Sequence, residues 1–452
     1  VHEILGFDQI RIVDTQPQQP SAGLPVGFQK FMHRSRGPLF SAFADLWTKM
    51  TTQDIYSTEA RQRYMLDAMQ VQLEAGASPM LTDADFQSAE ELDSSDPFLF
   101  DATYVYVYAI NSLLNQGLAP DDIRGERLLE EIRKTSFEGL TGNVSFGTYG
   151  DRAGSLPMQL WNTQVLGANL MVKVAEIDMS TGAFHLGMNL TWSNGDIAAS
   201  PPEELLACNS GFVPDVSTGA CNPCTPGTGC GYRKEIGFPL GVIGPFDVTS
   251  SFMASAVLFD LDFRKNFDPE IRARFGPPIV NITNLHPELR IKLQIGTSDF
   301  SVSTGMETAL DWFLGLDGFD KVAGVVGSLF SFVTGPIAQA AAIFQVPQIS
   351  YGATNPDFSS KLTYPYFLRT VPPDTLQGSA TWAWMQYYGV PSASYAHSLE
   401  GFGEGLFNTV AALARADGSP GRIISIGMEP TPSGEAYDVT IAFDACDKII
   451  AA

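Results

Sequence analysis

The sequence predicts an α/β protein built on parallel sheets with crossover helices, its two halves separated by a cysteine-rich break. Three observations carry this expectation. From Tyr232 onward, strand-like and helix-like segments alternate at the spacing of βα units. Before Asn194, a run of helices gives way to alternating strands. Between them, residues 194–231 hold Pro, Gly, Ser, Thr and Cys with few large apolar residues. The expected units are therefore 1–193, a linker over 194–231, and 232–452.

The first unit opens on a helix-like piece and a strand, Gln9 to Val13, before a Pro/Gln-rich loop from Gln16 to Pro25. Leu39, Phe43, Leu46 and Trp47 recur at helical spacing and predict a helix over Leu39 to Met50. A second amphipathic segment runs from Ser57 to Glu74 and stops near Gly76. The run FDATYVYVYAINSLLNQG is apolar nearly all round, which predicts a buried helix ending near Gly117. Leu128 to Phe137 reads as a surface helix with one charged face, and Thr141 to Arg152 as a hairpin turning at Gly-Asp. Strands follow near Gln159 to Ala175 and Ala183 to Trp192. In the second unit, EIGFPLGVIG, LRIKLQIG, KVAGVVGS, VPQISYGA, ASYAHS and RIISIGM read as strands. The helices expected between them cover Ser251 to Asn266, Gly305 to Leu316, Gly335 to Phe344, Thr375 to Tyr388 and Glu404 to Ala416.

With 452 residues, 44% of them hydrophobic, the chain can bury substantial cores. Fifty acidic residues against 27 Lys+Arg give a net charge of −23. That balance argues against nucleic-acid or anionic-membrane partners, because phosphates demand a basic surface. No apolar run reaches the roughly 20 residues a membrane span needs. The opening VHEILGFDQIRIV lacks the basic n-region and cleavage site of a signal peptide. Four of the five cysteines, Cys208, Cys221, Cys224 and Cys230, crowd into the linker, and N-x-S/T sequons stand at Asn143, Asn189 and Asn281. Together they predict an oxidising, extracellular or cell-surface setting with N-linked glycans, and disulfides rather than a zinc or redox site at Cys221-x-x-Cys224. Three pairings are open, with Cys208–Cys221 and Cys224–Cys230 the first choice.

The two ends of the chain also read as one element. If DVTIAFDACDKIIAA is continued into VHEILGFDQIRIV, Cys446, Ile449, Ile450, Val1, Ile4 and Leu5 fall on a single helical stripe. Asp444 would be its N-cap and Gly6 its C′ glycine. Neither half buries its apolar face alone, which predicts a seam completed by a neighbouring repeat, by another chain, or by the chain closing on itself.

The segment VGSLFSFVTGPIAQAAAIFQVPQISYGATNPDFSSKLTYPYFLRTVPPD, Val326 to Asp374, resembles the type I periplasmic-binding-protein fold of metabotropic glutamate and natriuretic-peptide receptor ectodomains. IGFPLG and IGTSD fit that family's first lobe, and SYAHSLEGFGEGLFNTV the start of its second. PLFSAFADLW, FDATYVYVYAINSLL and the strands ending in LTWSNG resemble the family's C-terminal half, and the linker resembles its small Cys-rich module. The resemblance spans most of the chain and is weakest at 14–36, 51–95 and 264–286. It implies a two-lobed fold with its halves in permuted order.

It also implies a ligand site between the lobes, at strand C-termini. Carried over, the site comprises Ser328, Ser331, Ala353, Thr354 and Phe402, with Phe402 where the family places a tyrosine. No HExxH, GxSxG, P-loop or post-strand GxGxxG is present. The expectation is thus a non-catalytic protein without metal or cofactor. The main reading is an extracellular structural protein that pairs with itself head to tail into a filament. The alternative is a receptor ectodomain sensing an amino acid or similar solute.

Overall fold

The computed structural model describes residues 36–64, 83–89, 92, 95–153, 157–165, 169–178, 183–188, 236–244, 251–298, 301–316, 318–387, 390, 393–399, 401–419 and 423–428, with short strands at 3–6, 18–20, 29–33, 213–214 and 221–222. Along the chain these form β1 (Glu3–Gly6), β2 (Gln18–Pro20) and β3 (Gln29–His33), then helices α1 (Phe40–Trp47), α2 (Gln53–Tyr56), α3 (Thr58–Arg63), α4 (Asp96–Asn115) and α5 (Gly125–Lys134). The hairpin β4 (Ser136–Gly139) and β5 (Gly142–Ser145) precedes β6 (Met158–Val165), β7 (Asn169–Asp178) and β8 (Ala183–Leu186). A two-residue pair, β9 (Val213–Pro214) and β10 (Cys221–Asn222), lies in the linker. The rest alternates: β11 (Ile236–Gly244), α6 (Ser251–Arg264), α7 (Pro269–Phe275), β12 (Leu289–Thr297), α8 (Val302–Leu314), β13 (Gly324–Val326), α9 (Ser331–Phe344), β14 (Gln348–Ser350), β15 (Phe367–Arg369), α10 (Asp374–Tyr387), β16 (Ala393–Ser398), α11 (Gly401–Ala416) and β17 (Ile423–Met428).

Two sheets result. Lobe 1 is a five-stranded parallel sheet in the order β12-β11-β13-β14-β15. Lobe 2 is a mixed sheet in the order β17-β16-β1-β3-β6-β7-β2, parallel from β17 to β3 and antiparallel beyond, with β8 also on β7. Right-handed crossovers place helices against parallel strands, and here each lobe buries its own apolar cluster.

Helix α4 shows how the sequence builds lobe 1. Pro97 suits the first turn, where its missing N–H costs nothing. Seventeen of its twenty residues are buried, as an apolar surface on every face requires. It ends where Gly117 takes φ +84° and Leu118 N–H donates back to Leu113 O, 3.2 Å away. Helix α8 starts on Ser301, whose hydroxyl accepts from Thr304 N–H, and stops at Gly315 with φ +71°. Its Trp312 lies across β11 and β12 at Gly241 and Gly296, where a Cβ would come within 2.3 Å and 2.7 Å of the indole. Only glycine leaves room there.

The lobe 1 core draws on both sides of the linker. Phe100 and Tyr104 of α4 meet Phe259 of α6 edge-on at 6.3 and 4.9 Å. Tyr64 donates to Asp260, Tyr104 to Asp262 and Ser255 to Asp96, all in buried positions. Units 1–193 and 232–452 are therefore divisions of the chain and not of its cores.

At Glu3–Gly6 the structure differs from the reading of the joined ends as a helix. Glu3–Gly6, with Ile4 and Leu5 at its centre, is strand β1. It pairs in parallel with β16 of the same chain, Leu5 opposite Tyr395, and on its other side with β3. Four residues satisfy a two-residue period as readily as a 3.6-residue one, and the backbone partners offered by β16 and β3 decide between them. Val1, Cys446, Ile449 and Ile450 lie outside the described residues. So do the strand expected at Gln9 to Val13, Cys208, Cys224, Cys230 and Asn189, and of Cys221 only its place in β10 is described. Asn143 and Asn281 are exposed.

Smaller differences are local. The hairpin expected at Thr141 to Arg152 forms one pair earlier, β4 with β5, because the glycines at 139 and 142 close the tighter turn. Gly150-Asp151 still turns a loop, closed by the Phe146–Arg152 bridge. Gln159 to Ala175, read as one strand, is a bent hairpin of β6 and β7.

Asp101 of α4 is fully buried and accepts from Leu140 N–H, Thr141 N–H and the Thr141 hydroxyl. Burial outweighs the attraction of Arg152, 4.0 Å away, and pushes its carboxyl up to about 6. A carboxyl higher in the folded than in the unfolded chain contributes stability that is complete near pH 4 and lost as pH rises through 6. Asp101→Asn should remove that component. Urea titrations between pH 4 and pH 7 should show a difference between wild type and variant that changes across this window; a pH-independent difference would refute the assignment.

Candidate ligand-binding cleft

The carboxyl ends of β13 and β14 define one rim of the candidate site, where parallel sheets present loops and helix N-termini. Ser328 follows β13 and is fully buried. Its carbonyl accepts from Ser350 Oγ (2.6 Å) and Thr334 Oγ1 (3.1 Å), which ties the turn to β14 and α9. Its own hydroxyl has no protein partner. Ser331 is the first residue of α9, and its hydroxyl accepts from Asn355 N–H at 3.4 Å.

After β14 the chain folds back on itself. Ser350 Oγ accepts from Gly352 N–H and Ala353 N–H at 3.2 and 2.9 Å, an ST-type turn. Ala353 and Thr354 are buried, and Thr354 Oγ1 has no protein partner. The carbonyl of Thr354 accepts from Asp374 N–H at 2.9 Å, which links this loop to the start of α10. Ser328, Ser331, Ala353 and Thr354 thus lie together on the lobe 1 rim, at the carboxyl ends of β13 and β14.

Phe402 does not join them. It is half-buried on the first turn of α11 and packs against the apolar cluster of lobe 2. The first turn of α11 instead brings glycine to lobe 1. A Cβ on Gly401 would stand 2.7 Å from Asn355 Nδ2, and one on Gly405 2.9 Å from Pro356 Cδ. Here the backbone of α11 touches lobe 1 through the side chains of Asn355 and Pro356. Beside the contact a cleft of about 710 Å³ opens, lined by Asn355 and Asp357 from lobe 1 and by Thr375, Glu404, Asn408 and Thr409 among others from lobe 2. Its lining carries two carboxylates and neither Lys nor Arg.

Arg369 was not singled out from the sequence, yet it shapes the rim. It is fully buried at the end of β15 and donates to the carbonyls of Ala353 (3.1 Å) and Asn355 (2.8 Å), to Ser359 Oγ (2.8 Å) and to Asp151 Oδ1 (2.7 Å). A guanidinium fork supplies donors enough for all four acceptors. The available signal was a lone cation inside the apolar YPYFLRTV. Nearby Lys361 caps the carbonyls of Phe358 and Phe367 at 3.0 and 2.8 Å, and burial lowers its ammonium to about 8. Among the described residues, no three His, Cys, Asp or Glu side chains are grouped so as to hold a metal ion. No described helix is long and apolar enough to cross a membrane.

Comparison with known proteins agrees with this architecture. Residues 29–165 and 279–434, well over half of the chain, match the family described as "Receptor family ligand binding region". The lobe 1 rim lies inside the second matched segment. Human metabotropic glutamate receptor 8 is 43% identical over 61 residues, which is 14% of this chain and 7% of the receptor. The chain therefore matches only a small part of that relative's length.

Proposed function

This chain belongs to the receptor ligand-binding-region family, and from that premise we propose that it is an extracellular, non-catalytic module that binds a small solute between its two lobes. The observation that carries the reading is the lobe 1 rim. Ser331 and Thr354 stand at the N-terminus of α9 and at the loop after β14, and backbone N–H groups with a favourable helix dipole suit a carboxylate there. Asp357 and Glu404 line the adjacent cleft and suit an ammonium group. An amino acid carries both. The human relative is named for glutamate, which makes glutamate and its analogues the first ligands to try.

The exposed sequons at Asn143 and Asn281 support an extracellular setting, in which glycans would cover those faces. Filament assembly was expected because the chain ends left an open seam. Glu3–Gly6 of that seam is strand β1, paired with β16 and β3 of its own chain.

The test is a thermal-shift screen over the amino acids. Ligand at 100 times its Kd should add about 2.7 kcal/mol of stability and raise the melting temperature. Thr354→Val should weaken the best ligand roughly tenfold, the worth of one hydrogen bond to a charged group. No shift across the panel, or a shift untouched by Thr354→Val and Ser331→Ala, would count against the reading.

A further inference from the structure

Besides the cysteine-rich linker, which runs from β8 of lobe 2 to β11 of lobe 1, three short segments of chain connect the lobes: His33 to Phe40, Arg152 to Met158, and Arg369 to Asp374. On the lobe 1 side all three converge on Leu140 to Asn143, the turn after β4 and the start of β5. In the first connection, Gly37 N–H donates to Leu140 O at 2.6 Å. A Cβ on Gly37 would lie 2.5 Å from Gly142 N, so the approach requires glycine. In the second, Arg152 itself donates through Nη2 to Asn143 O (2.7 Å) and Gly142 O (3.2 Å), and through Nη1 to the Thr141 hydroxyl. The same Nη1 reaches the third connection at Thr370 O, 3.1 Å away. Asp101 of α4 holds the turn from beneath by accepting from Leu140 and Thr141. Arg152 is almost completely buried, so these bonds are not exchanged with water.

We propose that Arg152 is the hinge pin of this protein: one guanidinium fastens all three short connections to a single turn, so that they bend together beyond it and the lobes share one pivot. Arg152 belongs to the second connection and binds the third directly at Thr370. The first is bound through Leu140 of the turn it grips. The planar fork matters, because two nitrogens must serve three acceptors at Thr141 to Asn143 and a fourth, Thr370 O, from another segment. A lysine keeps the charge beside Asp101 but not that geometry. Without the fork, Thr370 loses its tie to the turn and the third connection moves independently of the other two. The pin becomes functionally important through lobe closure on a ligand, and so far rests on the binding role proposed above.

The experiment reads lobe geometry without any ligand, so a failed amino-acid screen leaves it interpretable. Spin labels carried on unnatural amino acids at exposed Leu362 of lobe 1 and Arg415 of lobe 2 would report the interlobe distance by double electron–electron resonance. The expected result is a narrow distribution in the otherwise wild-type chain and at least a twofold broader one in Arg152→Lys. Tyr64→Phe, which removes a buried bond to Asp260 far from the connections, should lower stability and leave the width unchanged. A folded Arg152→Lys chain with the wild-type distribution would overturn the proposal. So would equal broadening in Tyr64→Phe. Should Arg152→Lys fail to fold, Thr141→Val, which removes one of the four acceptors, takes its place with the same two outcomes.

Discussion

A Leu5→Pro chain is expected to melt in two steps, with lobe 2 unfolding well before lobe 1. Leu5 sits in an interior strand, opposite Tyr395 on one side and Gln29 on the other. Proline there removes a ladder donor and fixes a backbone angle that an interior strand does not accommodate. Hydrogen exchange should show protection lost in β3, β16 and β17 and retained in α4. The same measurement tests where the strand comes from. If β1 belongs to the chain it completes, the wild-type melting temperature will not change over a hundredfold range of protein concentration. A midpoint that climbs with concentration would mean that copies exchange this strand, and would restore the assembly reading.

Asp262→Ala is expected to lower the stability of lobe 1 by about 3–5 kcal/mol, the usual cost of removing one partner of a buried ion pair. The carboxylate accepts from Tyr104 Oη (2.7 Å), Ile279 N–H (2.7 Å), Val280 N–H (3.2 Å) and Lys265 Nζ (3.2 Å). Burial pushes the carboxyl upward and Lys265 downward, so each depends on the other to stay charged. Removing Asp262 leaves an ammonium and two amide donors uncompensated. Adding Lys265→Met to Asp262→Ala should recover part of the loss, because the stranded cation goes with it. Denaturant unfolding of the four chains of this cycle gives the coupling. A double variant no more stable than Asp262→Ala alone would show that the pair is not coupled and that the amide donors dominate.

Both experiments probe contacts between distant parts of the chain, and that distance sets what could be read in advance. Periodicity located α4, α6, α10 and most strands of the second half, because those signals are local: an apolar stripe, a cap, a glycine after the last turn. The motif GSLFS followed by SYGAT placed Ser331 and Thr354 on one rim, because both follow neighbouring strands and sheet order brings their ends together. Phe402 could not be placed the same way. Whether the first residues of α11 face the cleft or the lobe 2 core is set by helix rotation, and the glycines at 401 and 405 gave the approach to backbone instead.

By itself, then, the sequence determined the α/β class and the order of most elements. Tertiary structure alone decided that Glu3–Gly6 forms a strand in the middle of lobe 2, and that Arg369 with Asp151 and Arg152 with Asp101 share buried sites. The reason is physical. A strand's identity rests on hydrogen bonds supplied by whichever backbone lies beside it, and a buried charge is tolerated only by partners that folding brings near. In this chain those partners stand far away along the sequence, Asp151 from Arg369 by 218 residues, and nothing in the local pattern of either residue marks the other.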